Sequence, residues 1–99
     1  MCIRDRLKVQ NVTPQHIDLF EIHEPFAATV IKIRQTLQLD DSRLHVNGGV
    51  IALGHPMGAT VAIMASTLID ELHRQRLNTG IVAASGAAGS GSVLLLERC

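Results

Sequence analysis

His55 is the residue best placed to do chemistry. It stands in residues 47–60, NGGVIALGHPMGAT, a glycine-rich approach to a histidine. Pro56 follows directly, and proline suits the first turn of a helix, where its missing N–H is no loss. That spacing puts His55 at or just before a helix N-terminus. The positive end of a helix dipole disfavours imidazolium there. A histidine kept neutral near pH 7 is what a general base must be. The flanking glycines allow close backbone approach to a ligand. The plainer alternative is a buried histidine satisfied by a backbone carbonyl. His23 and Ser85 are the other candidates. His23 opens His-Glu-Pro-Phe at a strand-to-helix junction, and Ser85 opens SGAAGSG at another strand end. Strand ends in α/β folds face ligand crevices. The alternatives are helix capping at His23 or Glu24 and, at Ser85, a tight turn that needs small side chains. The glycines at 48–49 and 86–91 are not phosphate loops, since no Lys follows in Walker spacing and GxGxxG is absent.

The elements that must position these residues follow from periodicity. Thr13-Pro14 caps a short turn. Residues 17–22 alternate apolar and acidic residues and read as a strand. A helix starts at Glu24-Pro25, with Phe26, Val30, Ile33 and Leu37 on one face. A loop at 39–42 leads to a short strand at 44–46. Residues 57–76 form a helix, apolar nearly all round in its first half and so buried between layers. Leu68, Ile69 and Leu72 point inward in its second half, while Asp70 and Arg74 pair outward at i,i+4. Residues 79–84 and 92–97 are strands. The order is β-α-β-α-β-β, an α/β layer architecture around a buried helix.

Composition bounds the rest. The chain has 99 residues, 46% apolar and 18% charged, with a formal net charge of zero. These values predict one small globular domain, or part of a larger one, with no polyelectrolyte surface for nucleic acid. Only two aromatic residues are present, which argues against base-stacking platforms. No apolar run reaches the length of a membrane span. The two cysteines, Cys2 and Cys99, make no metal spacing and no disulfide framework, in keeping with a reducing, cytoplasmic setting. The head MCIRDR, residues 1–6, resembles a translated adapter stub and is set aside from fold reasoning. Met1 is then not a natural start.

With these residues placed, the chain resembles the thiolase family. Residues 21–28, EIHEPFAA, are similar to the N/H-E-A-F motif. Residues 46–60 are similar to the N-G-G-x-I-A-x-G-H-P-x-G-A-[ST] signature. The resemblance covers residues 7–97, most of a thiolase C-terminal domain, with residues 7–99 as the domain. It implies two similar halves, the N-terminal one supplying a nucleophilic cysteine that nothing here matches. His55 would take the proton from that cysteine, whose thiolate attacks a 3-oxoacyl-CoA. His55 and a water fixed by His23 would hold the enolate oxygen. Phe26, Asn47, Gly54 and Ala87 are the implied substrate contacts. Coenzyme A enters as substrate, with no bound cofactor and no metal. The partners implied are the missing N-terminal half and further copies in a homo-oligomer.

Four positions depart from the family pattern. Ser85 falls where thiolases carry a second cysteine, the acid/base for the acetyl methyl carbon. Ala87 replaces a glycine whose N–H serves an oxyanion hole, and alanine keeps that N–H. Val61 stands where glycine usually follows G-A-[ST], and Pro25 replaces the alanine of N/H-E-A-F. Three expectations follow: part of a working thiolase, part of a thiolase-like protein that has lost condensation, or a partial chain inactive alone.

Overall fold

A computed structural model describes residues 3–99. Met1 and Cys2, the first two residues of the head segment set aside above, lie outside the described residues. A three-stranded sheet is the frame, formed by β1 (Leu19–Ile22), β2 (Thr79–Ser85) and β3 (Gly91–Glu97) in that order. β1 and β2 are parallel, with Leu19 opposite Gly80 and Ile22 opposite Ala83. β2 and β3 form an antiparallel hairpin, from Thr79 opposite Glu97 to Ser85 opposite Gly91.

Side chains alternate across this sheet, as a two-residue period requires. Phe20 and Ile22 of β1, with Ile81 and Ala83 of β2, face one side. There they meet Ile3 and Leu7 of α1 (Ile3–Val9) and Val30 of α2 (Ala27–Leu37). Leu19 and Val82 face the other side and pack on Met64, Leu68 and Leu72 of α3 (Thr60–Gln75). The result is three layers, helix on sheet on helix, the α/β class expected. Phe20 is among the largest fully buried side chains, and burying such a side chain is worth about 1.5–3 kcal/mol.

Several elements differ locally from the sequence expectation. The turn at Thr13-Pro14 forms as a short 3₁₀ segment, Pro14–His16. The second helix begins at Ala27, two residues beyond Pro25, with Phe26 extended at its N-cap. Phe26 is therefore off the core face and 74% exposed, whereas Val30 is buried and Ile33 and Leu37 pack on the core. The strand at 44–46 reduces to one bridge between Leu44 and Phe20. His45 has a left-handed backbone, φ 52°, which a strand cannot continue through. The third helix begins at Thr60, after a 3₁₀ turn at Met57–Ala59. Met57, at φ 40°, keeps the α-helix from starting earlier.

α3 buries one face only. Thr60, Met64, Leu68, Glu71 and Leu72 are buried, while Ala62, Ser66 and Ile69 are exposed. Ile69 thus turns outward rather than inward. The apolar first half has more apolar surface than this chain covers. Arg74 bonds Glu71, not Asp70, because Glu71 lies at the edge of the buried face where its carboxylate also meets Gln75 and Asn47. No helix among the described residues is long and apolar enough to cross a membrane.

Candidate active site

The C-terminal ends of the parallel strands bring two candidates together. The His23 N–H donates to the Ala83 carbonyl at 2.7 Å, one step past the β1–β2 ladder. Ser85 ends β2 two residues beyond Ala83. Both line one cavity of about 430 Å³ between the sheet end and α2, with Ile22, Lys32 and Gly86 in its wall. This is the crevice position that α/β sheets use for ligands.

His55 reaches the same place from the other side. Its ring lies 4.3 Å from that of His23, centroid to centroid, tilted by 35°. His23, His55, Phe26, Val50, Ile51 and Gly54 line a second, smaller cleft of about 300 Å³. His23 is the shared wall between the two spaces. It is 4% exposed, while His55 is open to solvent.

The orientation of His55 is set from below. Its Nδ1 shares a 2.7 Å hydrogen bond with the hydroxyl of Thr60, the buried first residue of α3. In the tautomer whose Nδ1–H donates to the Thr60 hydroxyl, Nε2 is the basic nitrogen. Five residues separate the two because the chain runs through Pro56 and the 3₁₀ turn before the helix starts. Pro56 therefore opens a 3₁₀ turn, not the α-helix itself.

The loop carrying His55 is pinned by carboxylates. Glu24 accepts hydrogen bonds from Val50 N at 2.8 Å and Ile51 N at 3.4 Å. A Cβ at Gly49 would overlap the Glu24 carboxylate, so a side chain there would displace Glu24 from this position. Gly54 precedes His55 at φ 77° and ψ −164°, a conformation essentially reserved for glycine. Asn47 donates its amide to Glu71 at 2.8 Å, tying the head of the loop to α3. Hydrogen bonds from Arg74, Gln75 and Asn47 hold the Glu71 carboxyl down at about 2.

Burial pushes the His23 imidazole below its usual 6.5, and the neighbouring His55 adds to this. His23 is thus neutral at pH 7, able both to donate to and to accept from a water. The unfolded chain takes up this proton first, so stability falls as pH drops from 6.5 toward the folded value. Urea unfolding followed from about pH 7 down to about pH 5.5 is expected to show this slope. His23→Asn is expected to flatten it, and an unchanged slope would remove His23 as its source.

Ala87 opens the turn Ala87–Gly89 between β2 and β3, beyond Ser85. Ala88 takes a left-handed conformation there, φ 54°. Glu24, Thr60 and Glu71 are site-supporting residues that the sequence pattern did not single out. The available signals were a carboxylate on the inward stripe of α3 and a hydroxyl five residues past His55. No group of three His, Cys, Asp or Glu among the described residues is arranged to hold a metal.

The profile of the family described as "Thiolase, C-terminal domain" matches residues 1–98. The chain belongs to the thiolase C-terminal domain family. This thiolase domain is 41% identical over 86 residues to an acetyl-CoA acetyltransferase of Cupriavidus necator, covering 87% of the chain and 22% of that protein. It is 38% identical to a 3-ketoacyl-CoA thiolase of Bacillus subtilis, covering 94% of the chain and 24% of the relative. Among solved structures, the Bacillus anthracis acetyl-CoA acetyltransferase superposes with a TM-score of 0.92 at 37% identity, over 98% of this chain and 25% of that one. Human mitochondrial 3-ketoacyl-CoA thiolase superposes at 0.90 and 33% identity, over 98% and 25%; a structure of it in complex with CoA superposes equally well. The thiolase domain described here spans about a quarter of the length of these relatives.

Proposed function

We propose that this chain is the C-terminal part of an acyl-CoA thiolase in which His55 is the base for a cysteine supplied by the remainder of the protein. One observation carries the reading. His55 is held by Thr60 through Nδ1, leaving Nε2 as the base, and its ring stacks on a buried neutral His23 at the strand ends. His55 takes the cysteine proton, and the thiolate adds to the 3-oxo carbonyl carbon. The carbon–carbon bond then breaks. The acetyl-CoA enolate leaves and is protonated at carbon, and an acyl-thioester remains. Free CoA attacks that thioester and restores the cysteine.

A water held by neutral His23, together with His55, stabilises the enolate oxygen. The Ala87 N–H serves the second oxyanion. Phe26 and Gly54, which share the cleft wall with His55, are substrate contacts. Asn47 serves the site through the loop it ties to Glu71. Coenzyme A is substrate, with no resident cofactor. The complete protein is a homo-oligomer acting in the cytoplasm, with residues 7–99 within its C-terminal domain.

Ser85 supports a second reading. A thiol titrates near 8.5, close enough to neutrality to exchange a proton with carbon. A serine hydroxyl is a far weaker acid. A protein with Ser85 at this place would bind or hydrolyse acyl-CoA, or partner an active subunit, without condensing. On either reading the 99-residue chain alone turns over no substrate, because the nucleophile lies elsewhere. Release of acetyl-CoA from a 3-oxoacyl-CoA and free CoA by the purified chain is therefore expected to be absent. Sustained CoA-dependent cleavage by it would overturn the proposal.

A further inference from the structure

His45 has no part in the reaction above, yet it is buried among charges. Its ring lies between two carboxylates on different segments. Nδ1 is 3.2 Å from Glu21 Oε2, in β1, and Nε2 is 3.7 Å from Glu24 Oε1. The side chains of His45, Glu21 and Glu24 are 10%, 3% and 12% exposed. Nε2 is buried and makes no hydrogen bond among the described residues. The other oxygen of Glu24 accepts from the Val50 and Ile51 amides, which start the Ile51–Leu53 turn leading to His55. His23, adjacent to Glu24 in the chain, and His55, whose ring lies 4.3 Å from that of His23, are titratable groups beside this corner.

A neutral imidazole has one N–H, enough for one carboxylate; an imidazolium has two, one for each. A buried carboxylate left without a cation is strongly destabilising. His45 holds a left-handed backbone, φ 52°. We infer that His45 is a positioning residue for His55. Its ring, wedged between Glu21 and Glu24, steers the Glu24 carboxylate onto the Val50 and Ile51 amides and so fixes the turn that presents His55. A protonated ring can bond both acids at once and a neutral ring only one, so any change in its proton is passed to Glu24 and the turn. The consequence for turnover rests on His55 being the base; the coupling itself does not.

The test follows resonances of the full chain, labelled with ¹⁵N and ¹³C, through a pH titration. The Val50 and Ile51 amides and the His55 ring are expected to shift with the same midpoint as the His45 ring. Amides that follow His23 instead, or that stay still while His45 titrates, would overturn the inference. Two variants add a charge test. His45→Asn suits the left-handed backbone but removes the cation, and is expected to speed exchange of the Val50 and Ile51 amides about tenfold. His45→Lys keeps a cation and is expected to restore protection. Equal protection in both folded variants would contradict the inference. The titration uses the unaltered chain, so it decides the matter even if His45→Asn does not fold. Coupling found without any effect of His55 on turnover would refute the proposed function and leave the positioning role standing.

Discussion

Replacing His55 by alanine in the complete protein is expected to lower cleavage of a 3-oxoacyl-CoA by about a hundred- to ten-thousand-fold. That is the usual range for removing a positioned general base. The geometry explains why no neighbour substitutes. His23 is near enough to stack on His55, but it is buried and its imidazole is pushed toward the neutral form. A weaker base in a fixed orientation cannot reach the proton that His55 Nε2 would take. Thr60→Ala in the same assay separates orientation from chemistry, because it removes the 2.7 Å bond to Nδ1 but keeps the imidazole itself. Its loss should be smaller and should fall on kcat rather than KM, since a misaimed base affects the transition state and not substrate binding. Equal activity of wild type and His55→Ala would exclude His55 as the base.

The second large effect is a gain. Ser85→Cys in the complete protein is expected to raise cleavage or condensation by about a hundredfold or more. Ser85 ends β2 and lines one cavity with His23, the place the proposed function gives to an acid/base for the enolate carbon. The substitution is close to isosteric and sits at an exposed strand end, so folding cost is small. The rate should acquire a pH dependence from the new thiol, near its ordinary 8.5. An unchanged rate in the folded variant would mean that proton transfer to carbon is made elsewhere.

The layers of this fold were legible because they rest on simple periods. Phe20 and Ile22 face one side of the sheet and Leu19 the other, and Met64, Leu68 and Leu72 fall on one stripe of α3. What periodicity missed has local causes. Phe26 carries an apolar side chain at a helical spacing, yet the bonds from Glu24 to Val50 and Ile51 hold the preceding segment extended and put Phe26 outside the helix. His45 and Met57 adopt left-handed backbones that side-chain patterns do not reveal, and each cuts short a regular element. Glu71 interrupts an apolar stripe, and its bonds to Arg74 and Gln75 on its own helix and to Asn47 across the fold account for it.

The site was legible in a different way. A fifteen-residue signature carries His55 in its sequence order, and the fold brings it to His23, thirty-two residues earlier. The supporting bonds are between residues far apart in the chain, such as Glu24 to Val50 and Asn47 to Glu71, so spacing alone could not announce them.

The central claim, that His55 activates a cysteine outside these residues, is tested most directly by the mass of the complete protein after mixing with a 3-oxoacyl-CoA and no free CoA. The account predicts an acyl adduct on a cysteine beyond this chain in the wild type, formed within the first turnover, and its near-absence in His55→Ala. An adduct formed equally fast without His55, or none in an active wild type, would contradict it.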